Sequence, residues 1–153
     1  MWRIAQQEDS AAIMALCANL YDEDPSQDPH SHQPIIEKTL AELFARPLRG
    51  KAVVLEQNGE ICGYALLMAF WSNEFGGEII IVDELYVMPT FRQQGHATQL
   101  FTTLQTPDNP LRSNNLGAIF LEVRPTNHRA MAFYQRLGFK LHPNKHLVLC
   151  PEL

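Results

Sequence analysis

The chain has 153 residues, of which 46% are apolar and 19% charged, with a net charge of −5. A length and balance of this kind predict one soluble globular domain spanning residues 1–153. They argue against nucleic acid as a main partner, since no basic face is available to displace counterions, and against a membrane, since no apolar run approaches the ~20 residues of a spanning helix.

The N-terminus lacks a basic region followed by an apolar core, so no secretory signal is expected. Cys17, Cys62 and Cys150 are isolated, odd in number and set in apolar runs. They read as reduced core residues of a cytoplasmic protein. Neither Cys-x-x-Cys nor His-Glu-x-x-His occurs, so no metal is expected.

In chain order, Trp2-Arg3-Ile4 reads as a first strand, and Glu8, Asp9 and Ser10 supply cap and first-turn chemistry for a helix. Ile13, Leu16, Cys17 and Leu20 form its stripe, and it ends near Tyr21. Residues 22–33 are acidic, polar and Pro-containing, which predicts a loop. A second helix follows Pro34, with Ile36, Leu40, Leu43 and Phe44 on one face, and stops at Pro47 and Gly50. Lys51 to Glu56 reads as a strand, Asn58-Gly59 as a type I′ hairpin turn, and Ile61 to Trp71 as the returning strand. Ser72 to Gly77 connects it to a third strand, Glu78 to Val87. Ala97, Leu100, Phe101 and Leu104 then mark a helix that Thr106-Pro107 cuts short. Ala118 to Val123 follows as a strand, parallel to Glu78–Val87 because a crossover helix joins them. Asn127 caps a last helix striped by Ala130, Phe133, Tyr134 and Leu137 and closed by Gly138. Phe139 to Leu141 and His146 to Cys150 are expected as two final short strands.

The stretch from Asp83 to Ala97 organises the rest. Ile79-Ile80-Ile81-Val82 reads as a buried central strand. It feeds a short loop, Met88 to Gly95, and the loop feeds a helix N-terminus. Gly95, lacking Cβ, lets a ligand approach the backbone. The free N–H groups of the first turn and the positive end of the helix dipole then face that ligand, and Arg92 adds a cation. This describes a pyrophosphate cradle. The Gly-x-Gly-x-x-Gly of a dinucleotide fold and the Gly-Lys-Ser/Thr of a P-loop are both absent.

Arg92-x-x-Gly95-x-Ala97 in that setting resembles the acetyl-CoA-binding segment of the GNAT N-acetyltransferase superfamily. A second segment agrees with the family pattern: Asn127, Ala130, Phe133, Tyr134, Gly138 and Phe139. The order of elements resembles the GNAT fold over essentially the full length. That resemblance implies an α/β (α+β) architecture, a mixed central sheet of about six to seven strands flanked by about four helices, with a splayed strand pair holding the pantetheine of acetyl-CoA. It implies backbone contacts to pantetheine and thioester from Leu85, Tyr86 and Val87, and to pyrophosphate from Arg92, Gln93, Gln94, Gly95, His96 and Ala97. Asn127 is expected at the pantetheine arm and Tyr134 near the sulfur as a general acid. Ala97 stands where a second glycine is commoner, and the shortened crossover helix departs from the pattern.

Direct acyl transfer from thioester to amine needs a base for the acceptor ammonium. Asp83 and Glu84 compete for that role. On a regular strand they face opposite sides of the sheet, and the longer Glu84 is slightly preferred. His96 is expected to point outward. The reading is a cytoplasmic acetyl-CoA-dependent N-acetyltransferase acting in a ternary complex on a primary amine. A small cationic amine is favoured because Asp22, Glu23, Asp24 and Asp28 crowd one loop; a peptide amine and a homodimer are both compatible with it. The alternative is a non-catalytic acyl-CoA-binding regulatory module on the same fold. O-acyl transfer and a longer acyl donor are not distinguished by these residues.

Overall fold

In the computed structural model, residues 1–28 and 34–150 are described. Asn58 and Gly59 take φ of 52° and 81°, the left-handed pair that a type I′ turn requires. This turn joins β2 (Gly50–Gln57) to β3 (Glu60–Ser72). With β1 (Trp2–Ile4), β4 (Gly77–Val87) and β5 (Leu116–Leu121) they form one sheet in the order β1-β2-β3-β4-β5. Every neighbouring pair is antiparallel except β4 and β5, which run parallel as the crossover predicts.

Strand parity sorts the core. Ala52, Val54, Tyr64, Leu66 and Tyr86 face α1 (Ser10–Glu23) and α2 (Ile36–Ala45), whose Ile13, Leu16, Cys17, Leu40 and Leu43 are buried against them. The other face carries Trp2, paired with Leu55 across β1 and β2. The Trp2 indole donates to the His96 carbonyl at 2.8 Å, which seats the first turn of α3 (His96–Gln105) on that face. Leu100, Phe101 and Leu104 of α3 are buried.

Asp9 supplies the expected cap chemistry in the 3₁₀ turn Gln7–Asp9 that leads into α1, and it also pairs with Arg3. Its carboxylate accepts from Arg3 at 2.7 and 3.0 Å and from the Gln6 N–H at 2.8 Å, tying β1 to the start of α1. The Arg3 guanidinium holds Asp9 below the usual carboxylate range. Helix α1 also runs to Glu23, past the expected end at Tyr21.

The elements above belong to one compact unit; residues from Val123 onward belong to a second. In the second, Asn127 Oδ1 accepts from the Ala130 N–H at 3.0 Å and caps α4 (His128–Arg136). Gly138, at φ 97°, ends the helix, and the Phe139 N–H closes on the Tyr134 carbonyl at 3.0 Å. Two expectations fail here. Neither Phe139–Leu141 nor His146–Cys150 forms a strand, so five strands are described instead of six to seven. Leu147 and Leu149 are 97% and 94% exposed, and Cys150 is exposed while Cys17 and Cys62 are buried as expected. An apolar run of good β propensity becomes a strand only where another backbone edge accepts its N–H and C=O groups. The expected loop at residues 29–33 lies outside the described residues.

Candidate active site

The site is built on an irregularity in β4. Val82 pairs with Leu67 and Glu84 with Leu66, so Asp83 is an extra residue, a β-bulge. Before it, Ile79 and Ile81 oppose Phe70 and Met68; after it, Glu84 and Tyr86 oppose Leu66 and Tyr64. The β3 partners are all even-numbered and share one face, so the residues of β4 on that face change from odd to even across the bulge. Glu84 therefore shares the α1 side with Leu66 and Tyr64, and Asp83 is the residue displaced from the ladder. The expectation that they face opposite sides assumed a regular strand, and the bulge removes that assumption.

Pairing with β5 ends at the same place. The last parallel partners are Val82 and Leu121. From Asp83 to Val87, β4 pairs with β3 on one side and, among the described residues, with no strand on the other, which leaves an open edge of the sheet. The Met88 N–H bonds the Cys62 carbonyl at 2.9 Å. By antiparallel alternation, Tyr86 and Glu84 then spend their N–H and C=O groups on β3, while those of Leu85 and Val87 point to the open edge. Of the three expected pantetheine contacts, Leu85 and the Val87 N–H thus point away from β3, the Val87 carbonyl is taken by Arg92 Nε at 2.7 Å, and the Tyr86 groups are spent on β3.

Glu84 is half-buried and densely bonded. Its carboxylate accepts from the Tyr21 hydroxyl at 2.9 Å and the Tyr64 hydroxyl at 2.7 Å, and the Cys17 thiol lies at 3.9 Å. Burial first, and then the charge of Glu84, push the Tyr21 and Tyr64 hydroxyls up in pKa. Burial likewise raises the Cys17 thiol. All three therefore stay protonated as donors. Asp83 is different: its residue surface is exposed, yet protein atoms crowd the carboxyl. That desolvation, with Glu122 adding to it, raises its pKa above the ordinary value.

The cradle follows a 3₁₀ turn at Pro89–Phe91. Gln93 and Gly95 take φ of 63° and 81°. A Cβ on Gly95 would meet nothing within 4 Å, so space lies open beside the loop. The first intrahelical bond of α3 runs from Gln99 N–H to the Gly95 carbonyl at 2.9 Å, and the amides before Gln99 precede the helical ladder. Gln94 is turned back onto the Thr90 carbonyl at 3.2 Å. Arg92 does not reach outward. Its Nε donates to the Val87 carbonyl and its Nη2 to Glu23, both at 2.7 Å, with the guanidinium 5.2 Å from the centre of the Tyr86 ring. The Tyr86 hydroxyl donates to the same Glu23 carboxylate at 2.8 Å. Arg92 thus fastens the C-terminal end of α1 to the loop. His96, expected outward, has its Nε2 buried without a hydrogen-bond partner among the described residues.

In the second unit, the Tyr134 ring lies 5.2 Å from Phe133 and 5.7 Å from Phe139, and burial pushes its hydroxyl up in pKa. Asn127 serves as the cap described above. Among the described residues, no cluster of three or more His, Cys, Asp or Glu could hold a metal ion, and no helix is long and apolar enough to cross a membrane. Tyr64 and the Glu23 partner of Arg92 were missed in the sequence. Tyr21 and Cys17 were read only as a helix end and a core residue. The hairpin register, which sets Tyr64 on the face of Glu84, is the signal that could have found Tyr64.

An α/β sheet whose β4–β5 pairing ends at a bulge, followed by a loop and a helix N-terminus, frames the candidate site. The chain belongs to the GNAT acetyltransferase family, whose model matches residues 14–139. A solved structure described as a possible acetyltransferase from Clostridium difficile 630 is 20% identical, with TM-score 0.81 over 99% of this chain and 98% of that one. An integron cassette protein from the mobile metagenome of Cole Harbour Salt Marsh is 25% identical, with TM-score 0.73 over 99% and 91%. A ribosomal-protein-alanine N-acetyltransferase from Brucella melitensis biovar Abortus 2308 is 14% identical, with TM-score 0.71 over 98% and 99%. No curated protein sequence matches the chain.

Proposed function

We propose that the chain is a single-domain, cytoplasmic N-acetyltransferase that moves an acetyl group from acetyl-CoA to a primary amine by direct attack in a ternary complex. The observation that carries this is the open edge of β4 beginning at Asp83 and leading into the Gly95 loop, beside which a Cβ would meet nothing. Acetyl-CoA supplies an activated thioester. The outward backbone groups of Leu85 and the Val87 N–H bind the pantetheine arm, and amides from Arg92 to Ala97 bind pyrophosphate with help from the helix dipole. Asp83 or Glu84 takes the proton of the acceptor ammonium. Tyr134, held protonated by its raised pKa, donates to the departing sulfur, and Asn127 supports the arm. The acidic residues at the end of α1 favour a cationic acceptor.

The experiment is calorimetric titration with acetyl-CoA, followed by a panel of amines read by thiol release and mass spectrometry. Binding with transfer to cationic amines is expected. Binding with no thiol release from any amine would instead make the chain an acyl-CoA-binding module, and no binding at all would reject both readings.

A further inference from the structure

We infer that Glu23, at the end of α1, is a positioning residue for the cradle. Through Arg92 it holds the loop of residues 88–95 in the shape that receives the phosphates of acetyl-CoA, and neither side chain touches them. The inference rests on the acetyltransferase reading above and deepens it.

Arg92 is held on three sides. Its Nε donates to the Val87 carbonyl at 2.7 Å, which ties the last residue of β4 to the far end of the 3₁₀ turn Pro89–Phe91. Its Nη2 donates to Glu23 Oε2 at 2.7 Å, and the guanidinium lies 5.2 Å from the centre of the Tyr86 ring. Glu23 is bonded twice, because its Oε1 accepts from the hydroxyl of the buried Tyr86 at 2.8 Å. A guanidinium presents its donors in a planar fork, so bonds in two directions fix its orientation. A swing of Arg92 onto a phosphate would break both bonds and leave Glu23 with the Tyr86 hydroxyl alone.

The loop needs such a hold. Directly after Arg92, Gln93 takes φ of 63°, a left-handed conformation that a residue with a Cβ disfavours. Backbone in that state persists where its surroundings fix it, and the contact with Glu23 anchors the residue immediately before it. The ion pair itself is a poor source of folding stability. Both side chains are half-exposed, and exposed pairs contribute little. Its effect therefore falls on the geometry of the loop more than on the melting temperature.

The test is calorimetric titration of acetyl-CoA into intact Glu23→Ala, Arg92→Met and double-variant proteins, with amide hydrogen exchange of the ligand-free proteins read by NMR. Acetyl-CoA is an anion, so removing the Glu23 charge strengthens binding if only the field matters. The clamp predicts the opposite sign: affinity falls about tenfold in Glu23→Ala, with the melting temperature near wild type. Arg92→Met should lose about as much, and the double variant no more than the larger single loss, since both break one contact. The double variant removes one charge of each sign, so its salt dependence of binding should match wild type. The Phe91 and Arg92 amides, bonded to the Met88 and Pro89 carbonyls at 2.9 and 3.2 Å, should exchange faster in Glu23→Ala. Tighter or unchanged binding by Glu23→Ala overturns the inference. So does a shallower salt dependence in the double variant, which would mean that Arg92 had touched a phosphate. If Arg92→Met does not fold, the sign in Glu23→Ala decides alone. Absence of acetyl-CoA binding by wild type, with faster exchange in Glu23→Ala, would instead overturn the acetyltransferase reading and leave the clamp standing. Unchanged exchange in Glu23→Ala overturns the clamp whether or not acetyl-CoA binds.

Discussion

The two halves of β4 share a strand and little else. From Ile79 to Val82 the strand is apolar, largely buried and hydrogen-bonded on both sides, to β3 and to β5. From Asp83 to Val87 it is mixed in polarity and bonded on one side only. The first half stabilises: burying a side chain such as Ile80 contributes about 1.5–3 kcal/mol. The second half leaves the outward backbone groups of Leu85 and the Val87 N–H without a strand partner among the described residues, the Val87 carbonyl being taken by Arg92, which creates a place where another extended chain can pair. The proposed site sits where the sheet stops completing itself, and one inserted residue sets the border.

The sharpest way to break this comparison is a pair of prolines. The Ala69 N–H bonds the Arg49 carbonyl, so by alternation Ile80 directs its own N–H toward β5, just as Leu85 directs its N–H toward the open edge. Ile80→Pro removes a ladder bond and a buried side chain together, and should cost several kcal/mol in urea denaturation, enough to leave little folded protein. Leu85→Pro removes an N–H that the fold does not use. It should melt close to wild type and yet lose acetyl-CoA binding in calorimetry. Equal destabilisation by both would mean that the halves do not differ.

Gly95→Val is next in size. The position needs φ of 81°, which costs an L-residue about 1–2 kcal/mol, and the side chain would enter the space beside the loop. Acetyl-CoA affinity should fall at least tenfold; unchanged affinity in a folded variant would remove the cradle from the site. A smaller effect concerns pH. Asp83 holds its proton more tightly folded than unfolded, so the folded state binds more protons and stability falls as pH rises from the ordinary value of 3.8 through the raised one. Asp83→Asn should lose this dependence, so its melting temperature should gain on wild type with rising pH. The smallest expected effect is electrostatic. Asp22 and Asp24 flank Glu23, which bonds Tyr86 and Arg92 beside the open half of β4. Converting both to Asn should flatten the fall of kcat/KM for a dication with added salt, a field screened beyond about 10 Å at 0.1 M. A wild-type slope in that variant would make these charges mere solvated surface.

Local chemistry made much of this legible in advance. Asn58-Gly59, Gly95, Asn127 and Gly138 sit at the turns and caps their residue types favour, and the run Ile79–Val82 is central because only a doubly covered strand is so apolar. What local chemistry could not supply is register. The bulge at Asp83 exists only as a mismatch between β3 and β4, so neither the displacement of Asp83 from the ladder nor the approach of Tyr64 to Glu84 from twenty positions earlier is written in either segment alone. Arg92 was legible as a cation but not as a bound one, because Glu23 reaches it from another helix. The expected C-terminal strands failed for a related reason: propensity names a willing segment and says nothing of whether an edge awaits it.

The bond from the Trp2 indole to the His96 carbonyl has an optical consequence. The chain has two tryptophans. Trp71 is 62% exposed, whereas Trp2 is 5% exposed and hydrogen-bonded to the first residue of the helix that opens the cradle. Excited together, the two differ in emission colour, the exposed indole redder and open to aqueous quenchers, the buried one bluer and shielded. In a Trp71→Phe protein the remaining fluorescence comes from an indole wired to the loop proposed to bind the phosphates, so the molecule carries its own dye for watching that loop respond.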